Sequence, residues 1–287
     1  MNPRTLPSQM IGLTLILLVA VACGTLQPAP TPTSIPPTPT PDTVKVTRDV
    51  AYTSERKLDV YTPQKPGAWP VVLVLPGGGD PKESLVDLSR GIAEQGAVVF
   101  TPDYRSNAPL PPKEDIAGGN KDAACAIRFA RAKAPEYGGD PSRMIVVGYS
   151  AGGTFGATMA LAGDDFEGDC LVSGVSAYPD AFVGLDGAYD IIKEIPEYYY
   201  QLASPEEWKV ISPFTYVNRQ PIRKDVKFYI MVGYTEVLVE YAQRFHEALK
   251  AAGYTTTLTQ LPGVGHAQIP DPKREEVMRT IAEALQR

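Results

Sequence analysis

Gly148-Tyr149-Ser150-Ala151-Gly152-Gly153 follows the apolar run Met144-Ile145-Val146-Val147 and precedes a stretch of small residues from Thr154 to Ala162. A buried strand, a sharp turn and a helix form the context in which a G-x-S-x-G pattern carries meaning. Such a turn leaves the Ser150 hydroxyl exposed at the end of the strand. Its glycines are required because a Cβ at either flank would collide with the adjoining strand or helix. The competing reading is a glycine-rich turn with a helix-capping serine. It accounts for the turn but not for the residues that accompany it.

A serine hydroxyl is a weak nucleophile at neutral pH and needs a base, which in turn needs an orienting carboxylate. The chain has two histidines. His246 lies in a helical pattern, Tyr241 to Leu249, between charged neighbours, and reads as a solvated helix residue. His266 lies in Pro262-Gly263-Val264-Gly265-His266-Ala267, just past a strand, where glycines free the loop to bring an imidazole over the sheet. It is the candidate general base. The carboxylate is expected between Ser150 and His266 in chain order. Glu236, in Gly233-Tyr234-Thr235-Glu236-Val237, is the first acid past the strand ending at Val232 and is the expected third member. Glu240 sits one helical turn further on and points to solvent, and Asp190 reads as a loop brace. Leu75-Pro76-Gly77-Gly78-Gly79-Asp80 follows another buried strand. Its Gly78 and Gly79 amides, with that of Ala151, are the candidate donors to a developing oxyanion. An ordinary turn is the alternative for this run.

Around these motifs the elements alternate. Val44–Thr53 and Leu58–Tyr61 read as a hairpin, and Val71–Leu75, Ala97–Thr101, Met144–Val147, Ala181–Leu185, Val226–Val232 and Thr256–Leu261 as further strands. Helical patterns cover Ser84–Gln95, Asp115–Ala134, Thr154–Ala162, Val237–Ala252 and Glu275–Leu285. A hairpin followed by β-α repetition predicts an α/β fold with a mostly parallel, doubly wound sheet. Tyr189–Tyr216, with Tyr198-Tyr199-Tyr200 and Trp208, interrupts the alternation. It reads either as a small aromatic lid over the strand ends or as a packed surface loop.

The first 43 residues have a different composition. Arg4 and then the apolar run Met10–Ala22 describe a signal peptide over residues 1–22, the run being short for a membrane span. Ala20-Val21-Ala22-Cys23 resembles a bacterial lipobox, which makes Cys23 the lipidated residue. Ordinary signal cleavage near Ala22 is the alternative. Residues 23–43 are rich in Pro and Thr and read as an extended tether. The expected location is therefore the cell envelope, with a membrane contact through a lipid anchor. Residues 44–287 form the catalytic domain. In an oxidising compartment Cys125 and Cys170 invite a disulfide, two separate buried thiols being the alternative. No histidine lies near either cysteine, so no metal site is expected. A net charge of -6 without a basic patch argues against nucleic acid as a partner.

Taken together these stretches resemble the α/β-hydrolase family, specifically its esterase/lipase branch, over nearly all of Val44–Arg287. Leu58-Asp59-Val60-Tyr61-Thr62-Pro63, Pro102-Asp103-Tyr104-Arg105 and Gly139-Asp140-Pro141-Ser142-Arg143 add to the likeness. The resemblance implies Ser150 as nucleophile, Glu236 and His266 as its partners, and Gly78, Gly79 and Ala151 as oxyanion donors. It implies a serine carboxylesterase acting on small to medium esters without cofactor or metal. A serine peptidase of related fold and a non-catalytic binding module are the competing functions.

Overall fold

Strand β3 (Trp69–Leu75) divides its side chains between two cores, Val71, Leu73 and Leu75 on one face and Val72 and Val74 on the other. Every one of these residues is buried. A continuous apolar run is what a strand covered on both faces requires. The computed structural model describes residues 43–105, 117–191, 205–220, 223–233 and 236–286. The signal segment, Cys23 and all but the last residue of the Pro/Thr-rich tether lie outside them.

Eight strands form one sheet. These are β1 (Val44–Ala51), β2 (Lys57–Pro63), β3, β4 (Val98–Pro102), β5 (Gly139–Tyr149), β6 (Ala181–Leu185), β7 (Lys227–Gly233) and β8 (Thr255–Leu261). Their spatial order is β1-β2-β4-β3-β5-β6-β7-β8. The β1–β2 and β2–β4 pairs are antiparallel and the rest parallel. The carboxyl ends of β3, β5, β6 and β7 therefore share one rim, the edge where open α/β sheets place their ligands. β5 begins earlier than expected because Gly139 and Asp140 pair with Trp69 and Pro70 before a register shift at Pro70/Val71.

Six helices are described: α1 (Val86–Glu94), α2 (Gly118–Lys133), α3 (Ala151–Ala162), α4 (Pro205–Ile211), α5 (Glu236–Ala252) and α6 (Glu275–Leu285). Buried residues of α2, α3, α4 and α5 join one core and those of α1 and α6 the other. Helix α1 buries Leu88 and Ile92, one turn apart, as its amphipathic pattern predicts. Helix α3 is buried on all sides, every residue from Gly152 to Ala162 being covered. Small residues permit this. A Cβ on Gly156 would stand 2.7 Å from the Phe182 ring and 2.9 Å from Val146.

Cys125 on α2 and Cys170 in the loop after α3 are joined as a disulfide. The aromatic segment is partly described. Tyr198-Tyr199-Tyr200 lie outside the described residues. Trp208 is buried in the α3-side core, and Tyr189 stacks on Phe245 of α5 at 4.2 Å. Those two rings are core residues.

Candidate active site

The turn between β5 and α3 is closed so tightly that its glycines are obligatory. A Cβ on Gly148 would overlap the backbone of Gly152, and one on Gly152 would overlap the carbonyls of Leu75 and Pro76. A Cβ on Gly153 would stand 2.9 Å from Gly187 Cα. Ser150 adopts φ 53° and ψ -120°, a conformation L-residues rarely take. Its N–H donates to Leu185 O at 2.9 Å, and its carbonyl accepts from the Gly153 N–H at 2.9 Å. The strain of such a conformation is of the order of 1–3 kcal/mol and persists only when the surroundings over-determine it. Here they do, and the side chain is turned to the rim of the sheet.

The structure brings Ser150 and His266 together. His266 Nε2 lies 3.0 Å from Ser150 Oγ, and Nδ1 lies 3.1 Å from Asp186 Oδ2. A carboxylate only accepts, so it holds the imidazole proton on Nδ1 and leaves Nε2 free to accept from the serine hydroxyl. The His266 side chain is 40% exposed while that of Asp186 is 1% exposed. The ring is reachable and its carboxylate is shielded from water. Tyr149 flanks the imidazole, with ring centroids 5.1 Å apart. Burial first, then the charges of Asp80 and Asp186, push the Tyr149 phenol up to about 12.

Asp186 holds the place expected for Glu236. It follows β6 directly at φ 51°, and aspartate tolerates this region better than most residues. Its N–H donates to Met231 O at 3.0 Å, and its Oδ1 accepts from the Gly233 N–H at 2.6 Å. The end of β7 thus fixes the carboxylate, and its second oxygen is left for His266. Glu236 is the first residue of α5. Chain order alone did not separate the two, since both lie between Ser150 and His266. The missed signal was Leu185-Asp186-Gly187, an acid set between a buried strand and a glycine. Asp190 accepts from Arg244 on α5 at 2.8 Å and so braces its loop. His246 is not simply solvated, because its Nδ1 meets Thr256 Oγ1 of β8 at 3.1 Å.

The glycine-rich run after β3 forms a turn beside Ser150's strand. The Asp80 N–H donates to Gly77 O at 3.2 Å, and Gly79 adopts φ 81°, as a type II turn asks of its third residue. Gly78 is exposed and Gly79 partly so. Ala151 opens α3, where an N–H has no partner within the helix. Among the described residues no group of His, Cys, Asp and Glu is arranged to hold a metal ion.

A family model described as alpha/beta hydrolase fold matches residues 79–269. The esterase LipC of Mycobacterium tuberculosis is 28% identical over 240 residues, 73% of this chain and 56% of that protein. A probable isoprenylcysteine alpha-carbonyl methylesterase of Oryza sativa is 27% identical over 257 residues, 80% of this chain and 59% of that protein. The chain thus spans less than two thirds of the length of these relatives. Among solved structures, the propionate-bound esterase Est2 of Thermogutta terrifontis superposes with a TM-score of 0.67 at 22% identity, covering 84% of this chain and 91% of its own. That likeness concerns the fold.

Proposed function

This chain belongs to the alpha/beta hydrolase fold family, and on that premise we propose that it hydrolyses small to medium carboxylic esters through an acyl-enzyme on Ser150. The observation that carries the reading is the single imidazole within hydrogen-bond distance of both Ser150 Oγ, at 3.0 Å, and Asp186 Oδ2, at 3.1 Å. The names of the esterase relatives support the choice of substrate class.

Ser150 Oγ bonds to the ester carbonyl carbon as its proton passes to His266 Nε2. Asp186 stabilises the imidazolium that results. The carbonyl oxygen takes the negative charge, and the amides of Gly78, Gly79 and Ala151 are assigned to it as donors. The C–O bond to the alcohol then breaks and the alcohol leaves with the proton from Nε2. Water, deprotonated by the same nitrogen, attacks the acyl carbon. The acid departs and the proton returns to Ser150 Oγ.

A p-nitrophenyl ester assay with Ser150→Ala as control tests this. Parent turnover with an inactive variant is expected, and equal hydrolysis by both removes Ser150 from the mechanism. A fluorophosphonate probe is expected to label the parent at Ser150, and failure to label favours a binding module.

The proposal extends to location: Cys23 carries a lipid and residues 23–43 tether the domain to a membrane of the cell envelope. The apolar run before Cys23 and the Pro/Thr-rich stretch after it support this. So does the Cys125–Cys170 disulfide, a bond suited to an oxidising compartment. Labelled palmitate should enter the full chain and not Cys23→Ala. Equal labelling of both overturns it.

A further inference from the structure

We propose that Asp103 and Tyr104, which follow β4, are positioning residues for the oxyanion turn at Gly77–Gly79. The inference rests on the acyl-transfer reading and adds to it the groups that fix the turn. Tyr104 is wholly buried and its hydroxyl donates to Pro76 O at 2.7 Å. A peptide is planar and usually trans, so holding the Pro76 carbonyl also sets the direction of the Gly77 N–H on its far side. The same carbonyl is crowded by Gly152, where a Cβ has no room. The Tyr104 ring meets Phe155 of α3 edge-on at 5.4 Å. One side chain thus touches both the start of the turn and the helix that begins at Ala151.

Asp103 holds the other end. Its Oδ1 accepts from the Lys82 N–H at 2.9 Å, and its Oδ2 lies 3.6 Å from Lys82 Nζ. Asp103 is itself fixed, its N–H donating to Lys57 O at 2.9 Å and its carbonyl accepting from Tyr52 Oη. Lys82 Nζ is buried against Asp49 and Asp59 as well, at 3.2 and 3.7 Å, and bonds Glu83. Burial alone would lower its pKa. The bonds to Glu83 and Asp49 and the charges of Asp103 and Asp59 outweigh burial and raise it. The ammonium is therefore a permanent pin. Donors act in catalysis only when held where charge develops, and a displacement of about 1 Å costs on the order of 10²-fold in rate.

Tyr104→Phe removes one hydroxyl and keeps the ring. With a p-nitrophenyl ester, its kcat is expected to fall about 10-fold or more while KM stays within about 2-fold, since the donors act on the transition state. Affinity for an aryl boronic acid, whose adduct with Ser150 is tetrahedral, should fall in proportion. Asp103→Ala should lower kcat likewise, and Asp103→Asn, which keeps an oxygen for the Lys82 N–H, should restore it. The Asp103 pair decides the matter if Tyr104→Phe does not fold. Unchanged kcat and boronate affinity in Tyr104→Phe, or an Asp103→Asn as impaired as Asp103→Ala, overturns the inference. Ser150→Ala is run beside them. If it turns over like the parent, the acyl-transfer reading fails and the inference with it. If it is dead while Tyr104→Phe is undisturbed, only the inference fails.

Discussion

The glycine-rich turns at the ends of β3 and β5 lie on adjacent strands and are held by different means. The β5 turn is held by exclusion: Gly148, Gly152 and Gly153 are pressed against backbone atoms, and no other residue type fits. The β3 turn is held by bonds from outside it, the Tyr104 hydroxyl at one end and the Asp103 carboxylate at the other. The first is fixed by backbone packed closely around it, its own and that of β3 and of the residues after β6. The second, fixed by side chains that arrive from β4, depends on another segment folding correctly. The first should tolerate no substitution of its glycines, and the second should be open to adjustment through residues that never meet substrate.

The largest expected effect falls on the carboxylate set between β6 and the Gly153 side of the tighter turn. Asp186→Asn should lower kcat by about 10⁴-fold, because the imidazole loses the acceptor that fixes its tautomer. Glu236→Gln should leave turnover within about 3-fold of the parent. The reverse pattern in steady-state kinetics moves the catalytic carboxylate to the start of α5. Next is the disulfide, which encloses Ser150 between cysteines separated by 45 residues. A loop of that length is worth about 4 kcal/mol in the unfolded-chain picture. Urea melts with and without reductant should differ by about that much, and coincident melts would mean that the tighter turn needs no covalent support. Gly152→Ala forces a Cβ into the carbonyls of Leu75 and Pro76. A loss of about 3 kcal/mol is expected, a thermal midpoint lower by roughly 10 °C. A neutral substitution would show that the two turns can move apart.

The smallest effect concerns Tyr149, whose phenol feels Asp80 of one turn and Asp186 beside the other. An unfolded tyrosine ionises near 10, and here burial and the two charges raise the folded value to about 12. The folded chain holds the proton longer. This contribution to stability is therefore full below pH 10 and is lost as pH rises from 10 towards 12. Tyr216, raised to about 12 by burial, should titrate in the same window. A tyrosinate absorbance titration should show late phenols, one of which disappears in Tyr149→Phe. No change in that variant would separate Tyr149 from both carboxylates.

The same contrast explains what could be read from the chain. The β5 turn was legible because its cause is local: strand, glycines and small-residue helix are contiguous from Met144 to Ala162. The strands and the mostly parallel sheet followed from the alternation of apolar runs and amphipathic helices, while the order that sets β4 between β2 and β3 did not. His266 was found because histidines are few. Asp186 was not, because many carboxylates lie between Ser150 and His266 and obey the same chain order. What selects it is the β7 backbone at Met231 and Gly233, about 45 residues away. The Tyr104 and Asp103 ties were hidden for the same reason, since Pro76 and Lys82 lie more than 20 residues before them. The segment holding Trp208 and Tyr189 was left open between a lid and a packed loop because an aromatic run gives no sign of which ring turns inward.

The cross-link between Cys125 and Cys170 makes a covalent loop that contains Ser150. A protease cut anywhere inside that loop nicks the polypeptide without releasing either piece. A nicked preparation would gain only the mass of the water consumed until thiol is added, and only then would a fluorophosphonate-tagged fragment separate from the remainder.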